Sequence, residues 1–131
     1  MSSSVSPRRA GSRVALIVLV AVAGASNGPA RAGTADVVAA KVRCQGERCR
    51  FAVSVRHADS GWNHYADRYE VLDAEGEVLA TRVLRHPHVD EQPFTRTLDA
   101  QIPLAVKEVR IRAHDSEHGH GGEEQTISLE R

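Results

Sequence analysis

The feature that most constrains this chain is its hydrophobic rhythm. Beyond about residue 33, apolar residues come in short runs with a period of two, and turn signals separate the runs. Phe51, Val53 and Val55 alternate with Ala52 and Ser54, and Val109, Ile111 and Ala113 alternate with Arg110 and Arg112. A period of two puts successive side chains on opposite faces of a strand, so each run has one face for a core and one for solvent. No stretch of useful length carries the 3.6-residue period of a helix, and no internal repeat is visible. Strands are therefore expected over 36–44, 49–57, 67–72, 77–85, 93–98, 106–114 and 124–129. Seven short strands in fewer than 100 residues predict an all-β fold, a seven-stranded immunoglobulin-like or fibronectin-like antiparallel β-sandwich. An open barrel is the alternative.

The strand pattern is preceded by a different kind of segment. Arg8, Arg9 and Arg13 form a basic start with no acid to offset it, and Val14 to Ala25 is an unbroken apolar or small-residue run. Ala30-Arg31-Ala32 then has the A-x-A form of a cleavage site. The run is about a dozen residues, against the roughly 20 needed to span a bilayer. Residues 1–32 are thus expected to be a signal peptide and 33–131 a single β-sandwich domain, periplasmic or secreted, with no membrane span after cleavage. The Sec-type route fits better than the twin-arginine route, because Ala10-Gly11-Ser12 lacks the residues that complete a twin-arginine signal.

Cleavage changes the charge balance. The chain has 17 basic and 17 acidic residues, but four arginines and no acid lie in 1–32, which leaves 13 basic against 17 acidic. A net acidic domain without a basic stripe is not a nucleic-acid binder. Cys44 and Cys49 both remain, and an even count in an exported domain predicts a disulfide. It would close the short turn 45–48, so it should contribute less than the roughly 3 kcal/mol expected for a 15-residue loop.

All seven histidines lie in the exported part. His57 ends the second predicted strand and His64 follows it. His86 and His88 follow the fourth, His114 ends the sixth, and His118 and His120 follow it. If strands alternate direction, the loops after strands two, four and six leave the sandwich at one end. The other end holds no histidine. Imidazole binds Zn, Cu, Ni or Fe in their divalent states. Proline favours an extended conformation at His86 in His86-Pro87-His88, and an extended chain points residues i and i+2 to the same side. His57 shares the parity of Phe51, Val53 and Val55 and is expected to point inward at the rim of the core, whereas His114 is expected to face out. His57, His64, His86, His88 and His118 are the candidate metal ligands. Asp59, Asp67, Asp90 and Asp115 are candidate acceptors for their ring N–H groups. The alternative is that these histidines are solvated loop residues, or that each pairs with its own carboxylate.

Trp62 and Tyr65 flank His64. They either form a contact surface for an envelope protein partner or fold back so that Trp62 caps the core. No nucleophile elbow and no Gly-rich phosphate loop is present, so the sequence points away from an enzyme and names no reaction.

Gly61-Trp62-Asn63-His64-Tyr65-Ala66-Asp67, the segment from His86-Pro87-His88 to Pro93-Phe94-Thr95-Arg96, and Ala113-His114-Asp115-Ser116 with His118-Gly119 together resemble an uncharacterised family of small exported bacterial proteins. That resemblance implies export and a compact domain, and no activity. A second resemblance is to the superoxide reductase (desulfoferrodoxin) sandwich, carried by the order of His57, His64-Tyr65, Glu70-Val71 and His118-Gly119. It implies an iron held by histidines and one cysteine. The chain departs from that pattern: no cysteine stands shortly before His118-Gly119, so the thiolate that tunes the iron is missing.

Overall fold

The computed structural model describes residues 33–131. The expected signal peptide lies outside the described residues. Seven strands follow in order: β1 (Asp36–Gln45), β2 (Arg48–Arg56), β3 (Ala66–Leu72), β4 (Val78–Val83), β5 (Phe94–Gln101), β6 (Glu108–Asp115) and β7 (Gln125–Ser128). They form two antiparallel sheets, β1-β2-β5 and β4-β3-β6-β7. The fold is a β-sandwich. β4 pairs with β3 and not with β5, as the extra C′ strand does in variable-type immunoglobulin sandwiches. Among the described residues no helix is long and apolar enough to cross a membrane.

The alternating residues meet between the layers. Phe51, Val53, Val55 and Phe94 from the first sheet are buried, as are Tyr69, Val71, Val109 and Ile111 from the second. The Tyr69 hydroxyl donates to the Arg96 carbonyl in the opposite sheet at 2.9 Å, which satisfies the one polar atom that this large side chain carries inward. Burial pushes the Tyr69 phenol above its ordinary range.

Strand ends shift by one to three residues from expectation, most at β5. β5 continues to Gln101, beyond the 98 at which a turn was expected. Its polar residues Thr95, Thr97, Asp99 and Gln101 line the outer face, and pairing with β2 runs unbroken from Val55↔Phe94 to Arg48↔Gln101. Arg50 and Asp99 sit opposite each other and join at 2.7 Å. Cross-strand partners thus make a strand of a segment whose own composition looks like a turn.

The two ends of the sandwich differ. At one end Cys44 and Cys49 face each other across the β1–β2 turn with sulfurs at bonding distance, 2.07 Å. At the other end the loops after β2, β4 and β6 converge, as alternation predicts, and the chain entering β1 joins them.

Candidate metal centre

The site is built by strand parity carried one or two residues past the strand ends. Phe51, Val53 and Val55 point inward along β2, and His57 and Asp59 keep that phase and are 2% and 6% exposed. Ile111 and Ala113 point inward along β6, and Asp115 follows them with no exposure at all. His64 is brought back by a tight reversal in which Ser60 N–H donates to the His64 carbonyl at 3.0 Å and His64 N–H to the Gly61 carbonyl at 3.1 Å. Gly61 has φ +140°, a conformation that side chains disfavour.

Asp59 anchors one side. Its Oδ1 contacts His57 Nδ1 and accepts the Ala66 N–H at 3.1 Å, while Oδ2 accepts the His88 N–H at 2.6 Å. If His57 gives its Nδ1–H to Asp59, its Nε2 is left as a lone-pair donor turned the other way. A carboxylate behind a ligand imidazole fixes its tautomer and raises its basicity.

Asp115 anchors the opposite side. Its Oδ1 accepts the N–H groups of Glu117 at 2.8 Å and His118 at 2.5 Å. Its Oδ2 faces Nε2 of His57 and Nε2 of His64, the latter at 2.7 Å. Yet no hydrogen bond of good geometry reaches that buried oxygen. The Gly33 carbonyl oxygen lies 3.2 Å from both Nε2 atoms. His118 Nδ1 is 3.2 Å from His64 Nε2 and 3.1 Å from Asp115 Oδ1. Donors bound to one tetrahedral ion with bonds of about 2.0–2.1 Å stand roughly 3.3 Å apart. The separations that involve the Gly33 carbonyl and His118 Nδ1 are of that size, while Asp115 Oδ2 stands closer to both rings. His57, His64 and Asp115 form one group able to hold an ion, and His64, Glu117 and His118 form an overlapping second.

The charges suit such an ion. Burial works to raise the Asp115 pKa, but the N–H groups of His118 and Glu117 and the nearby His57 and His64 outweigh it and hold the carboxyl below its ordinary range. Burial works to lower the His64 pKa, and the Gly33 carbonyl with the Asp115 and Glu117 charges outweighs it and raises the value. The centre is therefore electron-rich, with an ionised carboxylate and a backbone oxygen facing imidazoles.

Of the expected ligands, the structure brings His57, His64 and His118 together and leaves His86 and His88 apart. The carboxylate of Asp59 stands between them, with one oxygen toward the His57 ring and the other on the His88 backbone. The His88 ring stacks on Phe94 with centroids 3.9 Å apart and planes 11° apart, so it closes the core. Burial, followed by the Arg96 charge, lowers its pKa and keeps it neutral. His86 lies beside it, exposed, with ring centroids 4.7 Å apart. His114 and His120 sit on the outer face of the second sheet with Asp67 and Glu70, at 2.6 Å in each pair. Trp62 does not cap the core. It is 68% exposed and meets Tyr65 edge-on, at 5.7 Å between centroids.

Two contributors were not foreseen as such. Asp115 was expected as an outer acceptor and stands at the centre, and the alternation of Ile111 and Ala113 extended by one step would have indicated it. Asp59 stands where it was expected, as an acceptor behind a histidine ring. Gly33 carries no sequence signal for this role, because its contacts are with residues 57, 64 and 118. A thiolate ligand is missing from the centre, since Cys44 and Cys49 pair with each other at the far end.

No family model matches the chain. A protein of Halomicrobium mukohataei named "Putative lipoprotein" is 35% identical over 97 residues, which is 73% of this chain and 48% of that protein. A dephospho-CoA kinase of Lactiplantibacillus plantarum is 35% identical over 52 residues, 40% of this chain and 26% of the enzyme. The chain therefore spans about half of the first relative and a quarter of the second. Among solved structures, a hypothetical protein of Pyrococcus horikoshii OT3 has a similar fold, with a TM-score of 0.50 and 17% identity over 77% of this chain and 96% of that one. A superoxide reductase in its oxidized state gives a TM-score of 0.48 and 16% identity over 75% of this chain and 90% of that one.

Proposed function

We propose that this is an exported β-sandwich protein that holds a divalent transition metal at its histidine-bearing end. His57 Nε2, His64 Nε2 and the Asp115 carboxylate are the ligands, with His118 beside them. The observation that carries the reading is Asp115 Oδ2, a buried carboxylate oxygen with two imidazole nitrogens against it and no hydrogen bond directed to it. A buried anion needs a partner, and a cation between the three donors would supply one. Two imidazoles and a carboxylate suit Zn, Fe, Ni or Cu. Export is supported by the leader-like segment 1–32 and by the lipoprotein name of the relative in Halomicrobium mukohataei.

The test is elemental analysis of untagged protein purified from the envelope, followed by Zn²⁺ titration. The reading predicts close to one metal per chain, lost in His57→Ala and His64→Ala. Metal-free protein with no Zn²⁺ or Cu²⁺ affinity tighter than about micromolar would end it.

A second reading, a non-enzymatic adaptor for an envelope protein, is favoured by the exposure of Trp62 beside Tyr65 at this same end. Exposed aromatics of this kind anchor protein contacts. Crosslinking in intact cells with and without Trp62→Ala would separate it from the metal reading.

A further inference from the structure

The residue that follows the expected cleavage site is itself part of the site. Gly33 places its carbonyl oxygen 3.2 Å from Nε2 of both His57 and His64. Its α-carbon packs against the third imidazole, so that an added Cβ would stand 2.5 Å from His118 Cε1 and 2.9 Å from His118 Nδ1. This approach is enforced by the chain that follows it. Val37 N–H donates to the Glu123 carbonyl at 2.8 Å, and Glu123 N–H donates to Asp36 Oδ1 at 2.7 Å. Ala35 is buried, and Gly122 passes so close that a Cβ there would lie 1.9 Å from the Ala35 carbonyl oxygen. Residues 33–37 are thus tied to the loop after β6, the same loop that supplies His118.

Ala30-Arg31-Ala32 stands immediately before this residue. Hydrolysis of the Ala32–Gly33 bond by a leader-cleaving peptidase consumes one water, leaves a carboxylate on Ala32 and frees the α-amine of Gly33. We propose that export processing completes the metal site: the new Gly33 α-amine and the Gly33 carbonyl oxygen close a five-membered chelate on the cation held by His57, His64 and Asp115. The amine gives up its proton on binding. Three nitrogens and two oxygens then surround the ion, a set suited to Zn²⁺ or Cu²⁺. Before cleavage the same nitrogen is an amide and a poor donor, so the precursor holds metal weakly and the exported protein holds it well. The inference rests on the metal reading above.

The experiment uses the full chain expressed with its own leader and recovered from the envelope. Intact mass first establishes the N-terminus. The α-amine is then acetylated near pH 7, where its ordinary pKa of about 7.7–8.0 makes it more reactive than lysines near 10.4. Only Lys41 and Lys107 compete beyond residue 32. Zn²⁺ affinity is measured before and after acetylation, with His57→Ala in parallel. We expect the mature chain to begin at Gly33 and acetylation to weaken Zn²⁺ about 10-fold or more, since changes behind the ligands alone cost about 10- to 100-fold. Bound Zn²⁺ should protect the α-amine and leave Lys41 and Lys107 reactive. A mature chain beginning elsewhere, or equal affinity after acetylation with His57→Ala still impaired, would overturn the inference and leave the metal reading standing. No Zn²⁺ binding in any form would overturn both.

Discussion

The two ends of the sandwich are closed in opposite ways. At the disulfide end the chain satisfies itself. Cys44 and Cys49 close the β1–β2 turn, and Arg131 donates to the carbonyls of Ile102 at 2.8 Å, Val106 at 2.7 Å, Pro103 at 2.5 Å and Gly46 at 3.2 Å. The two terminal nitrogens of one guanidinium thus serve four carbonyls that would otherwise face water. At the histidine end acceptors and lone pairs accumulate instead. Two carboxylates, three imidazoles and a backbone carbonyl face one another, and one buried carboxylate oxygen has no directed donor. An end that is complete needs nothing further, and an end with surplus donors is built to hold something positive.

The contrast predicts how substitutions at each end divide between stability and metal affinity. The largest effect is expected from Asp115→Ala. It removes the acceptor for the Glu117 and His118 N–H groups and leaves both donors unpaired at a closed end of the core, a loss of about 3 kcal/mol or more. Denaturant unfolding should record this, and metal binding should vanish in whatever fraction still folds. Replacing both cysteines by serine should cost about 2 kcal/mol, because the loop is short, and Zn²⁺ titration of the folded protein should be unchanged. Metal loss in that variant would break the comparison, since it would couple the two ends.

Arg131→Ala comes next. Its hydrogen bonds are partly exposed, so about 1–2 kcal/mol is expected in unfolding experiments, again with metal affinity intact. The smallest effect concerns Glu70, on the outer face of β3. Burial works to raise its pKa, but hydrogen bonds from His120 and Arg112 outweigh this and hold it below the ordinary value. A depressed carboxylate contributes stability above its unfolded pKa of about 4.3, and that contribution is lost as pH falls through the folded value. Glu70→Gln should therefore flatten the acid limb of the stability profile by about 1 kcal/mol. Metal affinity near neutral pH should not change.

Much of this arrangement is legible in the sequence, and particular residues show why. The inward phase of Phe51, Val53 and Val55 carries His57 into the rim, and strand alternation brings His57, His64 and His118 to one end. Asp115 obeys the same rule, although a charged residue at a strand end is ordinarily read as exposed. His86 and His88 are spaced for joint ligation, but the stacking of His88 on Phe94 and the position of Asp59 depend on long-range packing. Gly33 is further from prediction still. Its role depends on the pairing of residues 36 and 37 with 123, more than 80 positions away, which no local pattern encodes.

The most direct test of the central claim is anomalous diffraction from crystals of untagged protein at the absorption edge of whichever metal elemental analysis finds. The account predicts one strong peak about 2.0–2.2 Å from His57 Nε2, His64 Nε2 and an Asp115 carboxylate oxygen. No peak there, or a peak held by His86 and His88 in its place, would contradict it.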